Sequence, residues 1–238
     1  MTEACDVASA PRVQLTAWPA PELPALVDAN DAIVCCTRVP EERSAVHAVV
    51  RRILADAIGS TPGSPIYPTI GSLRPNVLLD VRNSVTHEFP GKMDIAHTPN
   101  GKPYLAGASP ALKFNLSHCG GVLLVALSRT SEVGVDVERV RAIPEWRRIA
   151  DRIFDPATRQ LLFSEIACGA DERDAFLRYW CRMEAIVKAT GEGVFGRDTR
   201  DAANDAAVGR AQPRVIDLPD LPLAAGDARY RAALALCP

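Results

Sequence analysis

The chain has 238 residues, 47% hydrophobic and 24% charged, with 27 basic groups against 29 acidic ones. A composition this close to the globular average excludes disorder, collagen and coiled coil, and the length suits one large domain or two small ones. A formal charge of −2 lacks the basic excess of a general nucleic-acid binder, and no apolar run approaches the roughly 20 residues of a membrane span, so neither nucleic acid nor membrane is expected as a partner.

The start, Met1-Thr2-Glu3-Ala4-Cys5-Asp6, is acidic and lacks the basic and apolar regions of a secretory signal. Seven cysteines (Cys5, Cys35, Cys36, Cys119, Cys168, Cys181, Cys237) are scattered, odd in number and never in a CxxC pair. That fits neither a zinc pattern nor a disulfide framework and predicts a reduced, cytoplasmic setting. Only Lys92, Lys102, Lys113 and Lys188 are lysines, so each is worth locating.

Residues 10–24 are punctuated by prolines, and the first 30 residues read as extended or loop-like. Ala32–Cys35 predicts a short strand. From Pro40 the period turns helical: Val46, Val49, Val50, Ile53, Leu54 and Ala57 form one apolar face of a helix ending at Gly59. Residues 59–75 read as loop, and Pro99-Asn100-Gly101 as a turn. Three strands follow, Lys113–Ser117, Val122–Ser128 and Glu132–Glu138, joined by Cys119-Gly120-Gly121 and Arg129-Thr130-Ser131; they read as an antiparallel meander. Helices are predicted over Trp146–Phe154, Pro156–Cys168 and Glu172–Thr190, a loop over 196–211, and closing strands over Arg214–Leu218 and Ala228–Leu236. Helix plus small antiparallel sheet occurs twice, so the fold class is α+β with two similar lobes, residues 1–131 and 132–238.

On the third strand, alternation puts Val133, Val135 and Val137 on one face and Asp136 with Glu138 on the other. Such a pair either shares one hard cation or forms a solvated face. On the last helix, Phe176, Trp180, Met183 and Val187 form the apolar stripe, and Glu184 and Lys188 lie one turn apart beside it. They make either a surface ion pair or part of a site. Ser117 and His118 are adjacent on a strand and point to opposite faces, so this histidine is no base for this serine, and no G-x-S-x-G is present. Cys119-Gly120-Gly121 reads either as an anion-binding backbone turn or as a plain hairpin. Arg43, His47 and Arg51 form one polar stripe on the first long helix, either a solvated face or a set of cationic groups whose field Glu41 and Glu42 weaken.

Gly101-Lys102-Pro103-Tyr104-Leu105, Phe114-Asn115-Leu116-Ser117-His118-Cys119-Gly120-Gly121, Val133-Gly134-Val135-Asp136-Val137-Glu138 and the run from Trp180 through Glu184 and Lys188 to Gly193, in this order, resemble the two-lobed, surfactin-type 4′-phosphopantetheinyl transferases. The resemblance runs from about residue 40 to the end. It implies coenzyme A in the cleft between the lobes, Mg2+ as cofactor, and transfer of the phosphopantetheine arm to a serine of an acyl or peptidyl carrier protein with release of 3′,5′-ADP. It further implies Asp136, Glu138 and Glu184 as metal ligands and Glu184 as the group that helps deprotonate the serine. Lys188 would neutralise the pyrophosphate, and Lys102, Ser117, His118, Arg43 and Arg51 would hold coenzyme A, by a protein that works as a monomer. Arg139, Arg141, Arg147, Arg148 and Arg152 offer either a basic surface for an acidic carrier or a solvated face. Met183 stands where the family usually has lysine, and Arg182 is about 100° away around the helix. That departure leaves open a catalytically weakened relative that binds coenzyme A or a carrier domain. Phosphotransfer to a small molecule is disfavoured by the absence of a P-loop pattern.

Overall fold

Every residue of Val122–Ser128 is buried, which requires apolar cover on both faces of that strand, and the fold supplies it. The computed structural model describes residues 10–58, 94–106, 112–192, 212–221 and 228–238. In chain order the elements are β1 (Val13–Ala17), α1 (Leu23–Ala29), β2 (Ala32–Arg38), α2 (Arg43–Ile58), β3 (Asp94–His97), β4 (Pro103–Ala106) and β5 (Lys113–Cys119). Then come β6 (Val122–Ser128), β7 (Glu132–Arg139), α3 (Trp146–Ile153), α4 (Pro156–Ala167), α5 (Glu172–Thr190), β8 (Arg214–Asp217) and β9 (Tyr230–Cys237). The fold is α+β, as expected. The loops expected over 59–75 and 196–211, and also Cys5 and Lys92, lie outside the described residues.

One sheet has the order β1-β2-β6-β5 and another β7-β9-β8, with β3 and β4 as a separate hairpin. Along β6 the odd positions Leu123, Val125 and Leu127 face α2, where they meet Val46, Val50, Ile53, Leu54 and Ala57. The even positions Val122, Leu124 and Ala126 face the other way and pack on Val133, Val135 and Val137 of β7. The two sheets are therefore joined by the valine face of β7, and period-2 alternation alone decides which side chain enters which core.

The expected three-stranded meander is not formed. β5 and β6 pair antiparallel from Lys113↔Ser128 to Cys119↔Val122, but β7 pairs with β9 instead. The reason is that β6 already hydrogen-bonds β2 on one edge and β5 on the other, so no edge is left for a third neighbour. The proline-rich entry is also more ordered than expected. β1 pairs parallel with β2, so this sheet is mixed, and α1 follows β1. Pro24 sits in the first turn of α1, where its missing N–H costs no helical bond.

Helix α5 is buried on two sides, which a single apolar stripe did not anticipate. Phe176 and Tyr179 pack with Trp146, Ala150, Phe154 and Leu162 of α3, α4 and their link, and Trp180 and Met183 are only partly buried there. The face toward the second sheet consists of small residues, Cys181, Ala185 and Ala189, set on Ala233 and Ala235 of β9. Small side chains let the helix approach, and Gly134 of β7 makes the approach closest. A Cβ at that position would lie 2.0 Å from the Ala185 carbonyl oxygen and 2.3 Å from the Ala189 nitrogen. Gly134→Ala is expected to push α5 off the sheet and cost about 1–3 kcal/mol or more, by the usual penalty for overfilling a packed core. A urea denaturation series checks this; an unchanged midpoint would show that helix and strand are not in such tight contact.

Candidate functional site

β7 is the edge strand of its sheet, and an edge exposes a row of N–H and C=O groups that must be satisfied. β5 supplies the partners from its side chains. Asn115 Oδ1 accepts from Val135 N at 3.4 Å, Ser117 Oγ from Val137 N at 3.3 Å, and Cys119 Sγ from Arg139 N at 3.4 Å. Residues at i, i+2 and i+4 of one strand thus meet residues at i, i+2 and i+4 of the other. This seam holds β7 beside β5 without backbone pairing.

Alternation then turns Asp136 away from the valine core and toward α5. Asp136 is buried, and its Oδ1 accepts from Ser117 Oγ at 2.9 Å and from Lys188 Nζ at 2.7 Å. Lys188 also donates to the Val135 carbonyl at 3.2 Å. Asp136 Oδ2 is buried without a hydrogen-bond partner among the described residues. A buried carboxylate oxygen left bare is costly, and in a native protein it marks a place for a ligand, a water or an ion. Ser117 is therefore turned inward to Asp136, whereas His118, its neighbour, is exposed and faces a cleft, as alternation predicts.

Glu138 lies two residues on, with Oε2 accepting from Arg141 Nη1 at 2.6 Å and from Cys119 Sγ at 3.5 Å. Glu184, one turn before Lys188, is half-buried. Burial pushes its carboxyl above the ordinary range; Lys188 opposes that, while Asp136 and Glu138 reinforce it. The three acids therefore feel one another, yet among the described residues no three His, Cys, Asp or Glu side chains form a ready-made metal cluster. Magnesium asks for less: it is commonly held by one or two carboxylates, with phosphate oxygens and waters completing the shell. The bare Asp136 Oδ2 and this all-oxygen donor set fit such an ion.

The cleft beside these residues has a volume of about 550 Å3. Glu184 and Lys188 of α5 form one wall, Arg43, His47 and Arg51 of α2 another, and Asn115, Leu116 and His118 of β5 lie between. Lys102 lines it too, but its ammonium is engaged by Glu132 Oε2 and the Ala189 carbonyl. The structure thus brings the α2 stripe, His118, Glu184 and Lys188 around one cavity, and directs Ser117 and Lys102 to protein partners. Gly120 and Gly121 have positive φ, 56° and 75°, and form the β5–β6 hairpin turn, where the Tyr230 hydroxyl donates to the Gly120 carbonyl; neither glycine lines the cleft. Arg182 does not stand in for a lysine at 183, because its guanidinium is bound bidentately by Asp217. Asn115, Asn100 and Glu132 were not singled out from the sequence. The signal for Asn115 was available, since it shares a strand face with Ser117.

Among the basic surface residues, Arg141 is paired with Glu138, Arg147 with Glu172 at 3.8 Å and Arg148 with Glu145 at 3.4 Å. All of them, with Arg139 and Arg152, are exposed. Among the described residues none of the six cysteines is in a disulfide, and no helix is long and apolar enough to cross a membrane.

Comparison with known proteins points to one family. The family model of the 4′-phosphopantetheinyl transferase superfamily matches residues 132–227, the stretch carrying Asp136, Glu138, Glu184 and Lys188. The 4′-phosphopantetheinyl transferase HetI of Nostoc sp. is 36% identical over 107 residues, covering 44% of this chain and 44% of that protein. The 4′-phosphopantetheinyl transferase AcpT of Salmonella typhi is 37% identical over 100 residues, covering 41% and 50%. AcpT of Escherichia coli O157:H7 is 30% identical over 145 residues, covering 59% of this chain and 73% of the relative. The chain spans about half the length of the first two of these relatives.

Two outcomes follow from the geometry. Ser117→Ala leaves Val137 N–H and Asp136 Oδ1 each short of a partner in a buried place, and is expected to cost about 1–3 kcal/mol in a urea melt. Glu184→Gln is expected to raise the urea midpoint of the metal-free protein at pH 7 but not at pH 4. A carboxyl raised on folding holds its proton more tightly in the native state, so native stability falls as pH rises from the ordinary carboxylate range through the folded value. A midpoint at pH 7 unchanged by the substitution would contradict that reading of Glu184.

Proposed function

The chain belongs to the 4′-phosphopantetheinyl transferase superfamily, and on that premise we propose that it transfers the 4′-phosphopantetheine arm of coenzyme A to a serine hydroxyl of an acyl or peptidyl carrier protein, releasing 3′,5′-ADP. The observation that carries the proposal is the buried Asp136, with one oxygen held by Ser117 and Lys188 and the other bare. It stands next to a cleft large enough for an extended ligand and lined by Arg43, His47, Arg51, His118 and Lys188. Cationic walls suit a ligand with a pyrophosphate and a further phosphate.

In this reading Asp136, with Glu138 and Glu184, holds the metal ion, and Glu184 takes the proton of the incoming serine. Magnesium, when bound, supplies charge stabilisation to phosphate oxygens as the P–O bond breaks. Lys188 neutralises the diphosphate, and its bond to Asp136 fixes where its charge sits. Arg43 and Arg51 bind the phosphate remote from the reacting bond. The chain divides at residues 131 and 132, a division supported by β7 opening the second sheet and by the start of the family match.

The binding-only alternative rested on Met183. That residue is packed against the aromatic cluster of α3, α4 and α5, whereas Glu184 and Lys188 line the cleft and Lys188 is bonded to Asp136 behind it, which supports catalysis. The test is the intact mass of several apo carrier proteins incubated with coenzyme A and magnesium. At least one carrier is expected to gain a phosphopantetheine group. Chelation should abolish the gain and added magnesium restore it; Asp136→Asn should abolish it, and Glu184→Gln should slow it about 10²–10⁴-fold. Tight coenzyme A binding with no carrier modified would favour the binding reading instead.

A further inference from the structure

Helix α5 ends at Thr190, followed by Gly191 in the left-handed conformation at φ 74°. The last turn of a helix leaves carbonyls without N–H partners, and the helix dipole makes that end attractive to cations. Two of these carbonyls are satisfied from the β3–β4 hairpin. Lys102 Nζ donates to the Ala189 carbonyl at 2.5 Å, and Asn100 Nδ2 donates to the Gly191 carbonyl at 3.0 Å. The same ammonium is 2.5 Å from Glu132 Oε2, at the first residue of β7, and the other oxygen of Glu132 pairs with Lys113 at 3.1 Å.

The hairpin tip that presents these donors is braced. Lys102 N donates to Thr98 Oγ1, Thr98 N to the Lys102 carbonyl, and Gly101 N to the Thr98 carbonyl, with Gly101 at φ 86°. The Lys102 side chain is only 12% exposed, and its stem lies against Gly191, where a Cβ would come within 3.2 Å of its Cδ. Partial burial raises the Glu132 carboxyl, but hydrogen bonds from Lys102 and Lys113 outweigh it and hold the group below the ordinary range. The cation at Lys102 thus already shares the negative charge of Glu132 with Lys113 and faces one helix-end dipole. Recruiting it to a phosphate would strip both.

We infer that Lys102 is a positioning residue, a clamp that ties the last turn of α5 to the start of β7 and so fixes Lys188 and Glu184 against Asp136. It departs from a phosphate-binding role for this lysine. Lys188 directly precedes Ala189, whose carbonyl is clamped, and Glu132 lies four residues before Asp136 on the same strand face. Holding these two points sets the spacing between the ammonium and the carboxylate. The catalytic consequence rests on the transferase reading; the structural consequence does not.

The test compares Lys102→Met, Glu132→Gln, Lys102→Arg and the double variant Lys102→Met/Glu132→Gln in the full chain. Amide hydrogen exchange over residues 188–192 of the ligand-free protein is expected to quicken in Lys102→Met and Glu132→Gln alike. In carrier modification, both are expected to lose about tenfold in kcat while KM for coenzyme A moves less than about twofold, since displacing a catalytic group by a fraction of an ångström costs rate rather than binding. The double variant should be no slower than the worse single one, as two halves of one interaction are not additive. Lys102→Arg, whose guanidinium can serve both acceptors, should restore most of kcat. Unchanged exchange together with a raised coenzyme A KM in Lys102→Met and a silent Glu132→Gln would overturn the inference, as would loss of stability with kcat intact. If wild-type protein modifies no carrier, the transferase reading fails, and the exchange arm with calorimetric coenzyme A affinity still decides the clamp.

Discussion

A carboxylate buried beside an apolar core is tolerated only when its charge is matched, and Asp136 is the place where that constraint organises this protein. Its Oδ1 is shared by a hydroxyl from β5 and an ammonium from α5, so the residue joins a strand of the first sheet to the helix that covers the second. Removing the ammonium would leave charge uncompensated in a poorly solvated place, which is far more costly than losing a surface ion pair, and removing the hydroxyl would cost a buried hydrogen bond. The bare Oδ2 is the part of this arrangement that the protein's own side chains leave open.

Close approach of α5 is the second condition. Lys188 reaches Asp136 because Gly134 has no side chain and because Cys181, Ala185 and Ala189 are small. On its other side the same helix is held by aromatic residues, with ring centroids of Phe176 about 5.9 Å from those of Trp146 and Phe154. The helix is thus pinned from both sides, and its charged edge, carrying Glu184 and Lys188, is left facing the cleft. Met183 belongs to the aromatic side, where it packs partly buried against the residues of α3 and α4.

Much of this was legible in the sequence. Alternation on β7 separates the valines from Asp136 and Glu138, and helical spacing puts Glu184 and Lys188 together; both hold in the structure. Pairing was less legible, because it depends on which strand edges are already occupied. Nothing local to Arg129-Thr130-Ser131 says that β6 has both edges filled. The buried row of small residues on α5 was hidden for a related reason: a stripe of large apolar residues dominates the pattern, while Ala and Cys mark close packing only once the opposing surface is known. The proline-rich start misled because Pro24 is compatible with the first turn of a helix. Lys102 and Ser117 were found as residues, but their protein partners Glu132, Ala189 and Asp136 were not, since a sequence shows a donor and not what it donates to.

The seam between β5 and β7 has a further consequence. Its rungs come from Asn115, Ser117 and Cys119, every second residue. A slide of one position would present Leu116 and His118 to that row of amides, one with no acceptor and the other of the wrong reach. A slide of two would strand a donor at one end. The seam therefore acts as a gauge with one permitted setting, and the depth at which the acidic strand sits relative to the cationic wall is fixed by side-chain chemistry rather than by backbone pairing.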